Sequence, residues 1–293
     1  MLVNEMLIFY HVVQYKNFSQ TAEKLGVSKS FVSKQITHLE TDLKTRLLNR
    51  STRQVSLTEA GEVFFQHCKK LFELAQQGYD AMANLRQQPM GTMKISAPPA
   101  LVLHLLTTPL IEYTKLYPEV KLNVVLESQI VDVIQQGFDI ALRTTVLEDS
   151  NLIVQELTKL SNILCASPAY LKKHGLIKHP TQLPQHNFAV FSNQTSIKQY
   201  QFMYKKEKIN VTVDGCIQSN NLDFIMQMVM SGCCMAVLPE FMVKSTIAKK
   251  KLVHCLPDHH LPRSPLYAFY PEREFKPLKL QLFIDLLKKY LQT

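Results

Sequence analysis

The hydrophobic positions near the start of the chain repeat with helical spacing and predict two short helices joined by a tight turn. Ser19 is placed to cap the first helix, which ends at Gly26, a residue type that readily adopts the left-handed conformation. Ser28 is placed to cap the second helix, which we expect over about 29–41. The buried stripe of that helix consists of residues spaced 4, 3 and 4 positions apart: Val32, Ile36, Leu39 and Leu43.

The opposite face of the second helix is polar, and its side chains are mostly small. Hydroxyl groups and cations reach base edges and phosphates without blocking entry to a groove, so this face predicts a helix-turn-helix that binds double-stranded DNA. The alternative is a helical hairpin with a solvated face. We expect direct base contacts from Lys29, Ser33 and Lys34. The full set predicted to contact DNA from this helix and its cap is Ser28, Lys29, Ser30, Ser33, Lys34 and Thr37.

A short basic hairpin follows the second helix. Two apolar runs, 47–48 and 55–57, flank a tip at which Arg50 and Arg53 are predicted to lie beside the phosphate backbone as a wing. From Lys24 to Arg53 there are seven Lys and Arg residues against two acidic residues, a surplus of five positive charges. Because this charge coincides with the predicted groove-reading helix, it favours nucleic-acid binding over a merely solvated face.

A long amphipathic helix comes next, with Thr58 placed at its N-cap. Its apolar seam is too long for a small winged domain to cover, so it predicts a homodimerisation helix; the alternative is packing against its own chain. Two-fold pairing would present two recognition helices to half-sites on one face of DNA. The seam consists of Phe64, Cys68, Leu71, Ala75, Tyr79, Met82 and Leu85, and 87–91 are expected to end the helix as a hinge.

After Gly91 strand-like and helix-like segments alternate, which predicts two α/β lobes with mostly parallel sheets. The closing helix, 278–291, has no obvious place in the second lobe and is a candidate to return to the first. Two lobes joined by two connections are typical of a hinge-closing ligand-binding module. The predicted strands are 94–96, 120–126, 139–143, 163–166, 188–191, 211–214, 235–238 and 266–270, and the predicted helices lie within 98–117, over 130–136, after Ser167 and over 221–230.

Motifs along nearly the whole chain resemble those of one protein family. They include Arg50-Ser-Thr-Arg53 through Leu57-Thr-Glu-Ala-Gly61, M-K-I-S-A-P at 93–98, G-F-D-I-A-L-R at 137–143 and M-A-V-L-P at 235–239. On these residues the chain resembles LysR-type transcriptional regulators. It departs from the usual pattern at Lys44, where the family often has Gly, and at Gly232-Cys233-Cys234, where a second Gly is common.

The resemblance implies an α/β fold class: a winged helix-turn-helix, a long linker helix and a two-lobed effector-binding domain like type 2 periplasmic binding proteins. The expected domains are 1–62 for DNA binding, 63–90 for the linker and dimerisation helix, and 91–293 for effector binding. Lobe 1 is expected over about 91–163 and 267–293, and lobe 2 over about 164–266. The resemblance also implies a small-molecule effector that modulates DNA binding or promoter output, homodimers that assemble into homotetramers, and contact with RNA polymerase.

Effector contacts are expected beyond the carboxyl ends of strands and near helix N-termini, where open α/β lobes bind ligands. Arg143 favours an anionic, carboxylate-bearing effector, with a structural ion pair as the alternative. Each of the other candidates has an alternative role as a helix cap or strand-end turn. The candidates are Ser96, Pro98, Pro99, Ser128, Arg143 and Thr144 in lobe 1, and Ser192, Asn193 and Asn220 in lobe 2.

Composition bounds the remaining possibilities. The 293 residues carry a net charge of +9 and contain no apolar run long enough to span a membrane and no export signal, so we expect a cytoplasmic protein without membrane contact. Catalytic and nucleotide-binding motifs such as G-x-S-x-G, H-E-x-x-H and G-x-G-x-x-G are missing, which argues against an enzyme and predicts no cofactor. The rival to a regulator is a solute-binding module with an accessory nucleic-acid-binding domain.

The six cysteines lack C-x-x-C or zinc-finger spacing, so no metal site is predicted and reduced thiols are expected. The adjacent pair Cys233-Cys234 lies in an apolar stretch. Burial in a core is the expected role of this pair, and redox sensing is the alternative.

Overall fold

The computed structural model describes residues 2–50, 55–85, 88–129, 131–145, 151–192, 194–272 and 276–291. The chain forms two compact units, Met1–Gln88 and Pro89–Thr293. No helix among the described residues is both long enough and apolar enough to cross a membrane. The first unit contains α1 (Leu2–Tyr15), α2 (Phe18–Leu25), α3 (Lys29–Asp42), β1 (Leu48–Arg50), β2 (Val55–Leu57) and α4 (Glu59–Leu85).

The turn between α2 and α3 follows the local sequence chemistry. Gly26 adopts φ 67°, and the Ser28 hydroxyl accepts the N–H of Phe31 at 3.1 Å, so both predicted capping roles are confirmed. The prediction that Ser19 caps α2 is wrong. Asn17 occupies the cap, and its side-chain oxygen accepts the N–H of Ser19 at 2.8 Å, because the extended backbone at Asn17 starts the helix two residues earlier.

The core of the first unit joins α3 to α1 and the wing. Val32, Ile36 and Leu39 are fully buried, and they pack in one cluster with Phe9 of α1. Leu43 was expected in this stripe, but it is exposed because α3 ends at Asp42 and Leu43 is its C-cap. β1 and β2 pair antiparallel, which confirms the predicted hairpin strands.

Glu40 fixes the wing to α3. Its Oε1 accepts the backbone N–H groups of Leu47 and Leu48 at 2.9 and 3.1 Å. A carboxylate that accepts two backbone donors holds the start of β1 at a defined distance from the helix. The orientation of α3 is therefore set by both its apolar face and this polar contact.

The long helix α4 is capped as expected, since the Thr58 hydroxyl accepts the N–H of Gly61 at 3.0 Å. Its first half packs on α1, where Tyr10 stacks on Phe72 with ring centroids 4.6 Å apart. Farther along, apolar side chains of α4 face solvent, including Tyr79 at 75% exposure and Met82 at 52%. The first half of the predicted seam is therefore covered, whereas Tyr79 and Met82 in its second half are not; the side chain of Leu85 lies outside the described residues.

The second unit contains two lobes, the first built on a five-stranded sheet of order β4-β3-β5-β14-β6. β3 runs parallel to β4 and β5, whereas β14 is antiparallel to β5 and β6. The closing helix α10 (Leu278–Leu291) packs here, because Phe283 and Leu287 share a core with Met93 of β3. The elements are β3 (Gly91–Ala97), α5 (Pro99–Leu101), a π-helical segment (Val102–Leu106), α6 (Thr107–Leu116), β4 (Val120–Leu126), β5 (Ile140–Arg143), β6 (Leu152–Leu160), β14 (Ser264–Pro271) and α10.

The second lobe is built from smaller sheets, and the chain enters it after β6 and leaves it before β14. β7 pairs antiparallel with β12 and β13, β9 with β10, and β8 runs parallel to β11. Its elements are β7 (Asn162–Ala166), α7 (Pro168–His174), a 3₁₀ helix (Pro180–Gln185), β8 (Ala189–Phe191), β9 (Ile197–Tyr204), β10 (Glu207–Asp214), β11 (Ile217–Ser219), α8 (Leu222–Met230), β12 (Ala236–Pro239), α9 (Glu240–Ala248) and β13 (Val253–Cys255).

Three expectations about the second unit are wrong. Residues 133–137 form a turn rather than the helix expected over 130–136. The N–H of Phe138 donates to the carbonyl of Val133 at 2.9 Å, which ends the segment after one turn. Ile130 lies outside the described residues. The sheets are not mostly parallel: β14, which returns from the second lobe, pairs antiparallel with β5 and β6, and β7 pairs antiparallel with β12 and β13 inside the second lobe. The adjacent pair Cys233-Cys234 was expected to be buried, but Cys233 is exposed and Cys234 alone of the two is buried.

Candidate nucleic-acid interface and effector site

A shallow concave surface runs along α3. Its lining residues are spaced three and four positions apart, so they share one face of the helix. Four of them were predicted from sequence, whereas His38 and Thr41 were missed; continuing the spacing from Lys34 and Thr37 by four positions would have found them. The lining residues are Ser30, Ser33, Lys34, Thr37, His38 and Thr41.

The hydroxyl groups on this surface are already oriented by local hydrogen bonds. Thr37 donates to the carbonyl of Ser33 at 2.9 Å, and Thr41 donates to that of Thr37 at 2.8 Å. The hydroxyl protons of both threonines are therefore already donated within the helix. Ser28 is used as the helix cap and lies 2.9 Å from the hydroxyl of Ser30, so it positions the first turn.

The cations Lys29 and Lys34 are both exposed on α3. Long, flexible ammonium side chains in this position reach phosphates or base acceptors beside the helix. Arg46, just before the wing, is exposed as well. The side chain of Arg50 and the whole of Arg53 lie outside the described residues.

Arg143 lies at the centre of a buried polar network in the first lobe. The residue is only 3% exposed, and its Nη2 donates to the Ser96 hydroxyl at 2.6 Å and to the Gln129 carbonyl at 3.1 Å. Ser96 in turn donates to Glu127 Oε1 at 2.9 Å. Burial lowers the pKa of Arg143, and the nearby Glu127 carboxylate opposes this shift. Two predicted site residues, Ser96 and Arg143, are thus brought together.

The same network contains one unsatisfied donor. Arg143 Nε is buried and has no hydrogen-bond partner among the described residues. The remaining lobe 1 candidates follow strands of the same sheet: Pro98 precedes α5, Pro99 begins it, and Ser128 and Thr144 are exposed after β4 and β5. All hydrogen bonds of the guanidinium lie within its own lobe. They join the ends of β3, β4 and β5 in the first sheet.

The second-lobe candidates lie at the ends of β8 and β11. Ser192 donates its N–H to the carbonyl of Ser219 at 3.0 Å, and its hydroxyl accepts the N–H of Gln194 at 3.1 Å. Asn220 is exposed beside the N-cap of α8, and Asn193 lies outside the described residues. No hydrogen bond among the described residues joins this group to Ser96 or Arg143.

The lobes do meet at another place. His104 Nε2 lies 2.6 Å from Asp223 Oδ1, which joins the π-helical segment of the first lobe to the first turn of α8 in the second. Ala100 of α5 packs in the core that contains Ile163 and Ile225. The helical stretch that begins with α5 is thus held against the second lobe.

The thiols divide into two groups. Burial raises the pKa of Cys68, Cys165 and Cys234 to about 12 and that of Cys255 to about 11, so these groups are held as neutral thiols. Cys216 and Cys233 are exposed, and all six cysteines are free.

Comparison with known proteins adds independent evidence. A model of bacterial regulatory helix-turn-helix proteins of the lysR family matches residues 3–62, and a model of the LysR substrate binding domain matches 86–292. The regulator PtxR of Pseudomonas aeruginosa is 28% identical over 289 residues, which cover 99% of this chain and 93% of that protein. The regulator DmlR of Escherichia coli is 30% identical over 290 residues, covering 99% and 94%.

Solved structures agree over the full length. CrgA, a LysR-type transcriptional regulator from Neisseria meningitidis, is 28% identical and covers 99% of both chains with a TM-score of 0.65. The full-length virulence activator AphB of Vibrio cholerae is 26% identical, covers 99% of this chain and 100% of its own, and has a TM-score of 0.61. Since the two family models together span almost the whole chain, the protein belongs to the LysR family: it is a transcriptional regulator, not an enzyme, with a DNA-binding helix-turn-helix and a two-lobed α/β domain that binds a small-molecule effector.

Proposed function

We propose that this regulator reads its promoters with the exposed polar face of α3. Lys29, Ser33 and Lys34 contact base edges in the major groove, while Ser30 and Thr37 add hydrogen bonds along the same face and the backbone around Ser28 approaches a phosphate. The observation that carries this proposal is the continuous hydroxyl and cation stripe on a helix whose other face is fully buried. Such a helix enters a groove as a rigid unit.

Arg50 and Arg53 of the wing complete the contact surface in this proposal. Their guanidinium groups bind phosphates or enter the minor groove beside the α3 site, so they contribute affinity and salt dependence rather than base discrimination. The support is their place in the sequence, at the end of β1 and between β1 and β2, together with the local surplus of positive charge.

The second half of α4 pairs with the same helix of a second copy in our proposal. The support is the exposure of Leu74, Tyr79 and Met82, large apolar side chains on a helix whose first half is already covered. The functional divisions are then 1–62 for DNA binding, 63–90 for pairing and 91–293 for effector binding. Dimers assemble into homotetramers on DNA and contact RNA polymerase in the cytoplasm.

The effector occupies the region between the lobes near Ser96, Pro98, Pro99, Ser128, Arg143 and Thr144, opposite Ser192, Asn193 and Asn220. Arg143 contributes its positive charge from below the surface, and its free Nε is available if the network rearranges on binding. Changes in lobe closure then alter the arrangement of paired DNA-binding domains.

The test is a binding comparison between a genomic fragment selected by the purified protein and random DNA of equal length. We expect Ser33→Ala combined with Lys34→Ala to weaken binding to the selected fragment by about 10- to 100-fold or more, because each well-made base contact contributes about 1–3 kcal/mol of discrimination. Binding to random DNA should weaken much less, because it depends on phosphates.

The matched control is Lys244→Ala combined with Ser245→Ala, which removes an exposed lysine and serine from α9 in the other unit. This control should bind both DNAs as the unaltered protein does. Equal losses on selected and random DNA for the α3 variant would show that α3 does not read bases.

A further inference from the structure

We propose that Glu5, His38 and Asp42 form a binding site for a divalent transition-metal cation, with Zn²⁺ as the best fit. Glu5 lies on α1, whereas His38 and Asp42 lie one turn apart on α3. One ligand atom from each side chain lies within 4.8 Å of the others. A cation bound here would join α1 to the recognition helix.

The strongest observation is the burial of Glu5. The residue is 1% exposed, and neither carboxylate oxygen has a hydrogen-bond partner among the described residues. Burying a carboxylate without donors is strongly unfavourable, so such groups are paired with a cation or coordinate a metal. Glu5 Oε1 faces His38, whose Nδ1 is 3.0 Å away. The buried charge is therefore directed at the cluster.

The distances between the candidate ligand atoms match those around a small cation. Ligands held about 2.0–2.1 Å from tetrahedral Zn²⁺ are separated by about 3.3 Å. His38 Nδ1 is 3.0 Å from Glu5 Oε1 and 3.5 Å from Asp42 Oδ2, and it forms a well-aligned hydrogen bond with neither. One imidazole and two carboxylates suit Zn²⁺, leaving a fourth position for water on the exposed side.

The other pair of this kind in the described chain shows the contrast. His104 and Asp223 lie 2.6 Å apart in a hydrogen bond, and both are partly exposed, so water and each other satisfy them. The Glu5 cluster has a third group, and its buried carboxylate has no hydrogen-bond partner among the described residues. A local motif search misses it, because His38 and Asp42 alone form an ordinary i, i+4 pair and only folding brings Glu5 to them.

The experiment uses the full chain after removal of metals with a chelator and dialysis. Zn²⁺ is titrated in competition with a chromophoric chelator, and Co²⁺ is used as a spectroscopic probe. We expect one equivalent bound per chain, visible Co²⁺ bands without thiolate charge transfer, and a Zn²⁺-dependent increase in the melting temperature. His38→Gln or Asp42→Asn, at exposed positions, should weaken Zn²⁺ binding by more than about tenfold.

Glu5→Gln keeps the shape of the buried side chain and removes its charge. This variant should lose both Zn²⁺ binding and the Zn²⁺-dependent increase in melting temperature. His104→Gln is the matched control and should bind Zn²⁺ as the unaltered protein does, and Cys216→Ser with Cys233→Ser excludes binding by the exposed thiols. Unchanged Zn²⁺ affinity in the His38 and Asp42 variants would overturn the proposal. So would a lack of Zn²⁺ binding by the unaltered chain.

Discussion

Individual side chains in this protein take their chemical roles from their depth in the fold. Arg143 looks from its sequence position like a ligand-facing cation, yet it is buried and donates to Ser96 and to two backbone carbonyls. Breaking such a network leaves several buried groups unpaired, so its members act together. Cys233 and Cys234 are neighbours in sequence with opposite surroundings, one exposed and one buried.

The thiols provide a prediction at this scale. At pH 8 a chromogenic disulfide reagent should label two of the six thiols of the native chain quickly, at Cys216 and Cys233. The four buried thiols, whose pKa values are raised to about 11 or 12, should react only after denaturation, since thiolate is the reactive form. Raising the pH towards 11 should increase the labelling rate of a buried thiol only if local opening of the fold also exposes that thiol.

Peptide mapping of the labelled chain checks this prediction. Fast labelling of Cys165 or Cys234 in the native protein would show that the second-lobe core opens readily. Protection of Cys233 would instead indicate that another surface covers it.

At the scale of elements, the winged unit depends on one close approach between α4 and the wing. A Cβ added at Gly61 would lie 2.0 Å from the carbonyl oxygen of Leu47 and 3.1 Å from Leu57 Cδ2. The first of these atoms belongs to the backbone, so a flexible side chain cannot relieve the clash. Glycine at this position therefore lets the helix pack directly against the start of β1.

Gly61→Ala should consequently lower the free energy of unfolding of the winged unit by about 1–3 kcal/mol or more, because the backbone must shift. Gly78→Ala is the matched control in the same helix, since nothing lies within 4 Å of its added Cβ. That change should stabilise α4 by up to about 1 kcal/mol through helix propensity. Urea denaturation followed by circular dichroism measures both, and equal effects would contradict the close approach.

At the scale of the whole molecule, the exposed half of α4 has the features of an interface that a single chain does not complete. Tyr79 and Met82 lie one turn apart with most of their apolar surface in water. A continuous stripe of this kind gains free energy when a second helix covers it, at about 25 cal/mol per Å² of apolar surface buried. Pairing of two chains would also set the spacing of two α3 helices.

Tyr79→Asp combined with Met82→Asp should therefore reduce the average mass of the protein in sedimentation and weaken binding to a two-half-site fragment. Charges placed in a pairing seam lose hydration without gaining partners. Leu103→Asp and Ile111→Asp, which alter exposed apolar residues on the helical stretch after β3, serve as the comparison. An unchanged mass for the α4 variant would contradict pairing through this seam.

Local sequence chemistry by itself determined the helix-turn-helix, the wing strands and eight strands of the two lobes, because periodicity, caps and turn residues act over a few positions. It did not predict β6, β9, β13 or α9. Gly26, Ser28 and Thr58 have their expected roles for this reason. Only the tertiary structure decided which strands pair antiparallel, that Arg143 is buried, and that Glu5 meets His38 and Asp42. These features depend on contacts between distant segments, whose energies are set by packing and desolvation rather than by neighbouring residues.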